Sequence, residues 1–167
     1  SLETGDACLR ALQARGYNVT SIDASRDLGQ QLSEAEIEVV FNALHGKFGE
    51  DGCIQGLCET MGLPYTGSDV LASATAMNKL SSKQLFSWHD LPMPPSIICE
   101  GDDNPQPPFD FPVVIKPVAE GSSVGVTIVR DRAEYDDALD CARRYDRQVV
   151  VEKFITGREL TVGLLDG

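Results

Sequence analysis

The chain has 167 residues, of which 42% are hydrophobic and 24% charged, the composition of an ordinary globular protein that can build a packed core. Its formal net charge of −12 argues against general binding to nucleic acid or to an anionic membrane surface, because both require a positive field. No apolar run is long enough to span a bilayer and no signal-peptide pattern opens the chain, so we expect a cytoplasmic protein.

The first region is predicted to alternate helices with strands. In chain order these are a helix over 1–15, a strand over 17–23, a short acidic helix or turn, a strand over about 39–44 and a helix over 51–62. Because the second strand is mostly apolar, it suits a parallel sheet covered on both faces, and we predict a doubly wound α/β layer. Such a layer usually opens with a strand, so we expect the natural N-terminal strand to be missing from this chain.

The second region is predicted to be an α+β layer. Two helical stretches over 68–88 lead into it through a proline-rich connector at 90–96, where a helix cannot continue. The predicted elements are strands over 96–99, 112–117 and 124–129, a helix over 132–144, and strands over 148–154 and from Glu159 to the end. Antiparallel strands with a helix on one face form such a layer. The chain stops within a predicted strand, which indicates a fragment.

Lys116 stands at the end of an apolar strand and is followed by a loop with the sequence AEGSSVG. A buried ammonium is costly without an anionic partner, and a lysine that reaches solvent at a strand end is the ordinary alternative. The loop supplies two glycines and two serines, which can direct main-chain N–H and hydroxyl groups towards phosphate oxygens. It is not a P-loop, and by itself a Gly/Ser loop between strands is most often a hairpin turn.

The segment VVVEKFITGREL, residues 149–160, is the second candidate. A strand end that offers main-chain groups, an apolar side chain and two carboxylates could hold an adenosine, with the backbone reading the base and a carboxylate accepting from the ribose hydroxyls. An edge strand with solvated charges is the alternative.

Other candidates are two histidines and two lysines. His45 follows an apolar strand on a glycine-rich loop, where ligands bind in open parallel sheets, although a structural cap is equally open. Lys79 and Lys83 lie at i and i+4, where solvated lysines are the default, and His89 at a helix end complements the dipole. The five cysteines show neither a CxxC pair nor zinc spacing, so we expect reduced, buried thiols and no metal site among them.

Three stretches together resemble the D-alanine–D-alanine ligases of the ATP-grasp superfamily: ALHGKFGEDGCIQGLCETMGLPYTGSDVLASATAMNKLSSK, FPVVIKPVAEGSSVGV and VVVEKFITGRELTV. The pattern HGxxGEDGxxQGxxExxGxPYTGS is far more specific than the lysine or glycine signals taken singly. The resemblance implies three domains, with ATP gripped between the central and the C-terminal ones. We therefore predict a partial N-terminal α/β domain over 1–76, the α+β central ATP-grasp subdomain over 77–157 and the first strand of the C-terminal domain over 158–167.

The resemblance also implies roles for individual residues. The nucleotide-binding set comprises Lys79 and Lys116 for the phosphates, Glu120, Gly121, Ser122, Ser123 and Val124 for the loop that closes over them, Glu152, Lys153, Phe154 and Ile155 for adenine, and Glu159 for ribose. The predicted catalytic residues are Ser122, which matches the serine that helps fix the closed loop and the first substrate, and His45, which matches the histidine near the first D-alanine.

The implied reaction phosphorylates the carboxylate of one D-alanine with ATP, and the amine of a second D-alanine then attacks the acylphosphate, for peptidoglycan precursor synthesis. Mg²⁺ and a homodimer are part of the same expectation. The family's glycine-rich N-terminal loop would precede Ser1, and its mobile loop, arginine and Mg²⁺ ligands would follow Gly167. We therefore expect this chain by itself to be inactive, because the charge on the transferring phosphoryl group would be left uncompensated.

Two alternatives stay open. A D-alanine–D-lactate ligase or another ATP-grasp carboxylate–amine ligase could share these segments, because the discriminating residues would lie on the mobile loop. In a different class, the chain could be a nucleotide-binding module without catalytic activity.

Overall fold

The computed structural model describes residues 2–164, and the chain forms two compact units. The first unit consists of Ser1–Asp90 together with Val118–Val124, and the second of Leu91–Pro117 together with Gly125–Gly167. The chain therefore leaves the first unit, returns to it for one short segment, and leaves it again. The division into domains at 76 and 157 stays a prediction.

The first unit is built mainly from helices. They are α1 (Leu2–Ala14), α2 (Leu28–Glu34), α3 (Cys53–Met61), α4 (Val70–Met77) and α5 (Lys79–Trp88). Helix α1 ends at Ala14, one residue before the predicted end, and is followed by Gly16, whose φ of +86° is a left-handed conformation that glycine adopts without steric cost. Its N–H donates to the Gln13 carbonyl at 2.9 Å. Helix α2 lies mostly ahead of the short acidic helix or turn predicted from residue 33, and its buried side chains Leu28 and Leu32 lie one turn apart.

A doubly wound sheet is not seen in the described part of the first unit. Its β pairing there is one parallel bridge, between Val40 and Tyr65. The predicted strand over 39–44 is reduced to this bridge, and the prediction of a strand over 17–23 is wrong, since the segment is irregular. An extended segment becomes a strand when a neighbour offers a row of main-chain partners, and within residues 2–164 the segment 17–23 pairs with no strand.

The second unit is a four-stranded antiparallel sheet, as the α+β prediction requires. Its strands are β1 (Ser96–Glu100), β2 (Val113–Pro117), β3 (Thr127–Val129) and β4 (Gln148–Lys153). They lie in the order β1-β4-β2-β3. A short 3₁₀ turn, Arg132–Glu134, leads into helix α6 (Tyr135–Arg143), which packs against the sheet.

The core of the second unit lies between one face of this sheet and α6. Its fully buried members include Cys99, Val113, Ile115, Val129, Tyr135, Leu139, Ala142, Val149 and Val151. Burying a side chain of this size contributes about 1.5–3 kcal/mol. Side chains alternate across a strand, so the neighbours of these core residues along β2 and β4 point to the other face of the sheet. Lys116, which follows Ile115, and Glu152, which follows Val151, are two of these neighbours.

Two strand predictions in this unit need correction. Strand β3 begins at Thr127 rather than at 124, because Gly125 has a φ of +66° and a Cβ there would lie 2.8 Å from the Pro117 side chain. The predicted strand from Glu159 is wrong over 159–164, which are irregular, and its remainder lies outside the described residues.

All five cysteines are free thiols; Cys58 and Cys99 are buried, whereas Cys53 is exposed. Within residues 2–164 no helix combines the length and the apolar character needed to cross a membrane.

Candidate functional site

Lys116 has its anionic partner within the protein. In the antiparallel register of β2 and β4, Lys116 is opposite Val150 and Val114 is opposite Glu152, so Lys116 and Glu152 are diagonal neighbours on one face. The Lys116 Nζ and Glu152 Oε2 atoms are 2.5 Å apart. Glu152 is 7% exposed. A carboxylate this close offsets the cost of placing an ammonium in the sheet.

The chain beyond β4 is fixed by two main-chain hydrogen bonds. The Lys153 N–H donates to the Pro95 carbonyl at 2.9 Å, and the Phe154 N–H donates to the Pro112 carbonyl at 3.1 Å. Ile155 follows with 59% of its surface exposed. An exposed apolar side chain beside a fixed main chain suits a flat ring, so the geometry is compatible with the predicted adenine segment. Glu159 is exposed in the irregular stretch that follows.

Lys79 holds the Gly/Ser loop that follows β2. It is the first residue of α5, whose N-terminus is capped by the Asn78 side chain accepting from the Ser81 N–H at 2.9 Å. The Lys79 main-chain N–H donates to the Val118 carbonyl at 3.0 Å. Its ammonium donates to the carbonyls of Val118 and Glu120. A cation that the resemblance assigns to phosphate thus lies against main-chain oxygens in this structure.

The Gly/Ser loop contains a turn with two left-handed residues. Ser122 and Ser123 have φ values of +49° and +61°, and the Val124 N–H donates to the Gly121 carbonyl at 3.0 Å. Positive φ at both central positions is the pattern of a type I′ turn, which glycine and asparagine usually occupy. Left-handed backbone costs a non-glycine residue about 1–2 kcal/mol. Strain of this kind is concentrated at ligand clamps and switch segments, and both serines are exposed.

The loop that carries His45 is held by two carboxylates. The Gly46 N–H donates to Glu50 Oε2 at 2.6 Å, and Asp51 accepts from the Phe48 N–H at 2.9 Å and the Cys53 N–H at 3.1 Å. Burial by itself would raise the pKa of Asp51, but these main-chain donors outweigh it and lower the pKa from 3.8. Asp51 therefore stays ionised at the start of α3. We did not predict this role, although an Asp just ahead of a helix is a recognised capping signal.

His45 opens onto a cleft within the first unit. Its Nε2 atom lies 3.3 Å from the Thr4 hydroxyl oxygen. The cleft encloses about 480 Å³. The polar residues of its lining include Thr4, Asn42, His45, Glu50, Gln55, Ser68 and Ser73. The Gly/Ser loop approaches the His45 loop at one point, since a Cβ placed on Gly121 would lie 3.8 Å from Glu50 Oε2.

The predicted residues thus fall into two groups, one in each unit. His45, Lys79 and residues 120–124 belong to the first unit; Lys116, residues 152–155 and Glu159 belong to the second. Within residues 2–164 no group of three or more His, Cys, Asp or Glu side chains is arranged to hold a metal ion.

Both regions of the chain match models of one ligase family. Residues 10–68 match the D-ala D-ala ligase N-terminus and residues 99–167 match the D-ala D-ala ligase C-terminus. Together the two matches cover most of the chain, which therefore belongs to the D-alanine–D-alanine ligase family.

Individual relatives agree with this assignment. The D-alanine--D-alanine ligase of Geobacter sulfurreducens is 50% identical over 169 residues, which cover 99% of this chain and 54% of that protein. The corresponding ligase of Agrobacterium fabrum is 44% identical over 170 residues, covering 100% of this chain and 55% of the relative. The chain thus spans about half the length of these relatives.

Solved structures of ligases share the fold. The crystal structure of D-alanine--D-alanine ligase from Bacillus anthracis aligns with a TM-score of 0.84 and 34% identity, over 93% of this chain and 53% of that one. The VanG D-Ala:D-Ser ligase of Enterococcus faecalis aligns with a TM-score of 0.64 and 36% identity, over 72% of this chain and 37% of that one. The ATP-grasp fold predicted from the sequence is confirmed by the match to these enzymes.

Proposed function

We propose that the protein containing this chain uses ATP to join two D-alanine molecules into D-alanyl-D-alanine, a peptidoglycan precursor. The observation that carries the proposal is that both regions of the chain match one ligase family. The B. anthracis ligase has also been crystallised with ATP, and that structure aligns with a TM-score of 0.79 at 32% identity.

In this reaction the γ-phosphoryl group of ATP passes to the carboxylate of the first D-alanine. The amine of the second D-alanine attacks the acylphosphate carbon, a C–N bond forms, the C–O bond to phosphate breaks and the amine loses a proton. The products are the dipeptide, ADP and phosphate. In such a reaction the protein contributes positioning and charge stabilisation rather than covalent chemistry.

The residues of the second unit fit the nucleotide. Lys116 can supply positive charge to the phosphates, and Glu152 beside it, with Lys153, Phe154 and Ile155, offers carboxylate, main-chain and apolar contacts to adenine. Glu159 is proposed for the ribose hydroxyls.

The residues of the first unit fit the phosphates and the first D-alanine. The turn over residues 120–124 carries exposed hydroxyls and main-chain N–H groups, and Ser122 is proposed to fix the closed loop. Lys79 would exchange its loop carbonyls for phosphate oxygens. His45, at the cleft, is proposed to lie beside the first D-alanine.

Mg²⁺ belongs to the proposed reaction as the ion that neutralises phosphate charge. The described residues do not fit it, because they include no cluster of three metal-ligating side chains. We further propose a cytoplasmic homodimer that takes D-alanine as its substrate and binds neither nucleic acid nor membrane.

A different second substrate is the other candidate. The VanG relative is named a D-Ala:D-Ser ligase, so D-serine is a candidate second substrate here, and D-lactate stays open as well.

The test is phosphate release from ATP by the full-length protein, with D-alanine alone and with D-alanine plus D-serine or D-lactate. We expect release that depends on D-alanine, and loss of nucleotide affinity in Lys116→Ala but not in Arg130→Ala, which removes an exposed cation in the same unit. ATP binding without turnover would favour a nucleotide-binding module, and unchanged affinity in Lys116→Ala would remove the role given to this lysine.

A further inference from the structure

The side chain of Asn42 closes the loop that carries His45. Its Oδ1 atom accepts from the Leu44 N–H at 3.1 Å, at the start of the loop. Its Nδ2 group donates to the Gly49 carbonyl at 2.8 Å, at the end of the loop. One amide therefore bonds to both ends of the segment between them. Asn42 is itself fixed, because its N–H donates to the Thr66 hydroxyl oxygen at 3.0 Å.

A second amide reaches the same carbonyl from helix α3. The Gln55 Nε2 group donates to the Gly49 carbonyl at 2.8 Å. Gln55 is 4% exposed, and its Oε1 atom has no hydrogen-bond partner among the described residues. A carbonyl can only accept, so this bond fixes the orientation of the amide. Buried polar atoms are usually paired, yet this amide donates to Gly49 while its own oxygen has no partner among the described residues. The bond to the Gly49 carbonyl is therefore the contact that determines the position of the Gln55 side chain.

The two ends of the loop are also in direct contact. A Cβ added to Gly49 would lie 2.3 Å from the Leu44 Cβ, so the backbone at Gly49 passes closer to Leu44 than any side chain allows. His45 is the residue directly after Leu44. A loop closed at Leu44 and Gly49 leaves little freedom to the backbone on which the His45 ring stands.

We propose that Asn42 and Gln55 are positioning residues, which act through the Gly49 carbonyl to hold His45 in place for the ligation. The proposal rests on the proposed function and deepens it. Neither amide is assigned a contact with substrate. Their effect is to reduce the number of positions that the His45 ring can take, and small displacements of a group near the reacting atoms have large effects on rate.

The first measurement is independent of catalysis. The chain has two histidines, His45 and His89, and His89 lies at the end of α5, so its ring signals serve as an internal reference in the NMR spectrum of ¹³C-histidine-labelled protein. Gln55→Met keeps the length of the side chain and removes the donor. Asn42→Asp keeps an acceptor for Leu44 and removes the donor to Gly49. We expect the His45 ring signals to shift in both variants and those of His89 to stay unchanged.

The second measurement is the rate of ligation by the full-length protein. In Gln55→Met we expect kcat to fall roughly 10- to 100-fold, while the KM for ATP changes less than about twofold, since a displaced His45 affects the reacting atoms rather than the nucleotide. Gln30→Met is the matched control, because Gln30 is an exposed residue of α2 that donates to Glu34 at 2.7 Å.

Unchanged His45 signals in both variants, or an unchanged kcat in a variant whose His45 signals move, would overturn the proposal. If Gln55→Met unfolds, both histidine signals change together and Asn42→Asp decides. If the full-length wild-type protein shows no ligation at all, the proposed function fails, and the NMR experiment still decides whether the two amides position His45.

Discussion

Lys116 of β2 and Glu152 of β4 form an ion pair, with 23% of the lysine side chain and 9% of the glutamate side chain exposed. The family resemblance assigns the lysine to the phosphates of ATP and the glutamate to its adenine. In the structure each is the partner of the other. A nucleotide that contacts either residue therefore acts on the pair, and the two residues are best tested together.

Replacing Glu152 with Gln should lower the free energy of unfolding by about 1–3 kcal/mol, because the Lys116 ammonium then lacks a carboxylate in a largely buried site. Urea unfolding measures the change. Asp136→Asn is the matched control, since Asp136 pairs with Arg132 at 3.1 Å while both side chains are about half exposed, and an exposed pair contributes less than about 1 kcal/mol. An equal decrease in the free energy of unfolding in Glu152→Gln and Asp136→Asn would contradict the prediction.

Lys79→Met should free the Gly/Ser loop from α5. The variant loses the ammonium that donates to the Val118 and Glu120 carbonyls, so amide hydrogen exchange over 121–124 should be faster than in the wild type. Lys83→Met, one turn further along α5, is the control and should leave this exchange unchanged. Equal exchange in wild type and Lys79→Met would show that the main-chain bonds alone hold the loop.

The loop around His45 should loosen in acid. The folded protein lowers the pKa of Asp51 below 3.8, so the stabilisation from its ionised form is fully present above pH 3.8 and is lost as the pH falls through the lower folded value. The amide chemical shifts of Phe48 and Cys53, which donate to Asp51, report the change. Asp51→Asn should remove this pH dependence; its persistence there would assign the transition to another group.

Two glycine-to-alanine substitutions should have opposite effects on stability. Gly49→Ala places a Cβ 2.3 Å from the Leu44 Cβ, which should destabilise the protein by about 1–3 kcal/mol. Gly5 lies inside α1 with no atom within 4 Å of the added Cβ, so Gly5→Ala should stabilise by about 0.5–1 kcal/mol. Thermal unfolding of both variants measures the two changes in stability. A Gly49→Ala variant more stable than the wild type would contradict the close approach of Gly49 to Leu44.

Elements with a local cause could be predicted from the sequence. The end of α1 just ahead of Gly16 follows from the conformation that glycine alone adopts freely, and strands β2 and β4 follow from their runs of valine and isoleucine. The strand predicted over 17–23 failed because pairing depends on a neighbouring segment, and the sequence of a strand does not reveal whether that neighbour is present.

The candidate site likewise contains residues that the sequence indicates and residues that depend on distant parts of the chain. His45 and Lys116 were singled out by their surroundings in the sequence, and Lys79 by the family resemblance. Their partners were not, because Lys79 meets the Glu120 carbonyl across 41 positions of the chain. Asn42 carried no signal, and Gln55 entered only as one position of the family pattern, with no role attached to it. An amide that bonds to a main-chain carbonyl cannot be told from any other polar residue until the loop is folded.

The segment Val118–Val124 belongs to the first compact unit although it connects two strands of the second. This connectivity has a practical consequence for experiments that express parts of the protein. A peptide that begins at Leu91 would contain the sheet and this segment but leave Lys79 behind, and a peptide that ends at Asp90 would keep Lys79 without the carbonyls it binds. A protease nick after Asp90 would therefore yield two pieces that each hold half of one set of hydrogen bonds, so neither is a natural unit for expression by itself.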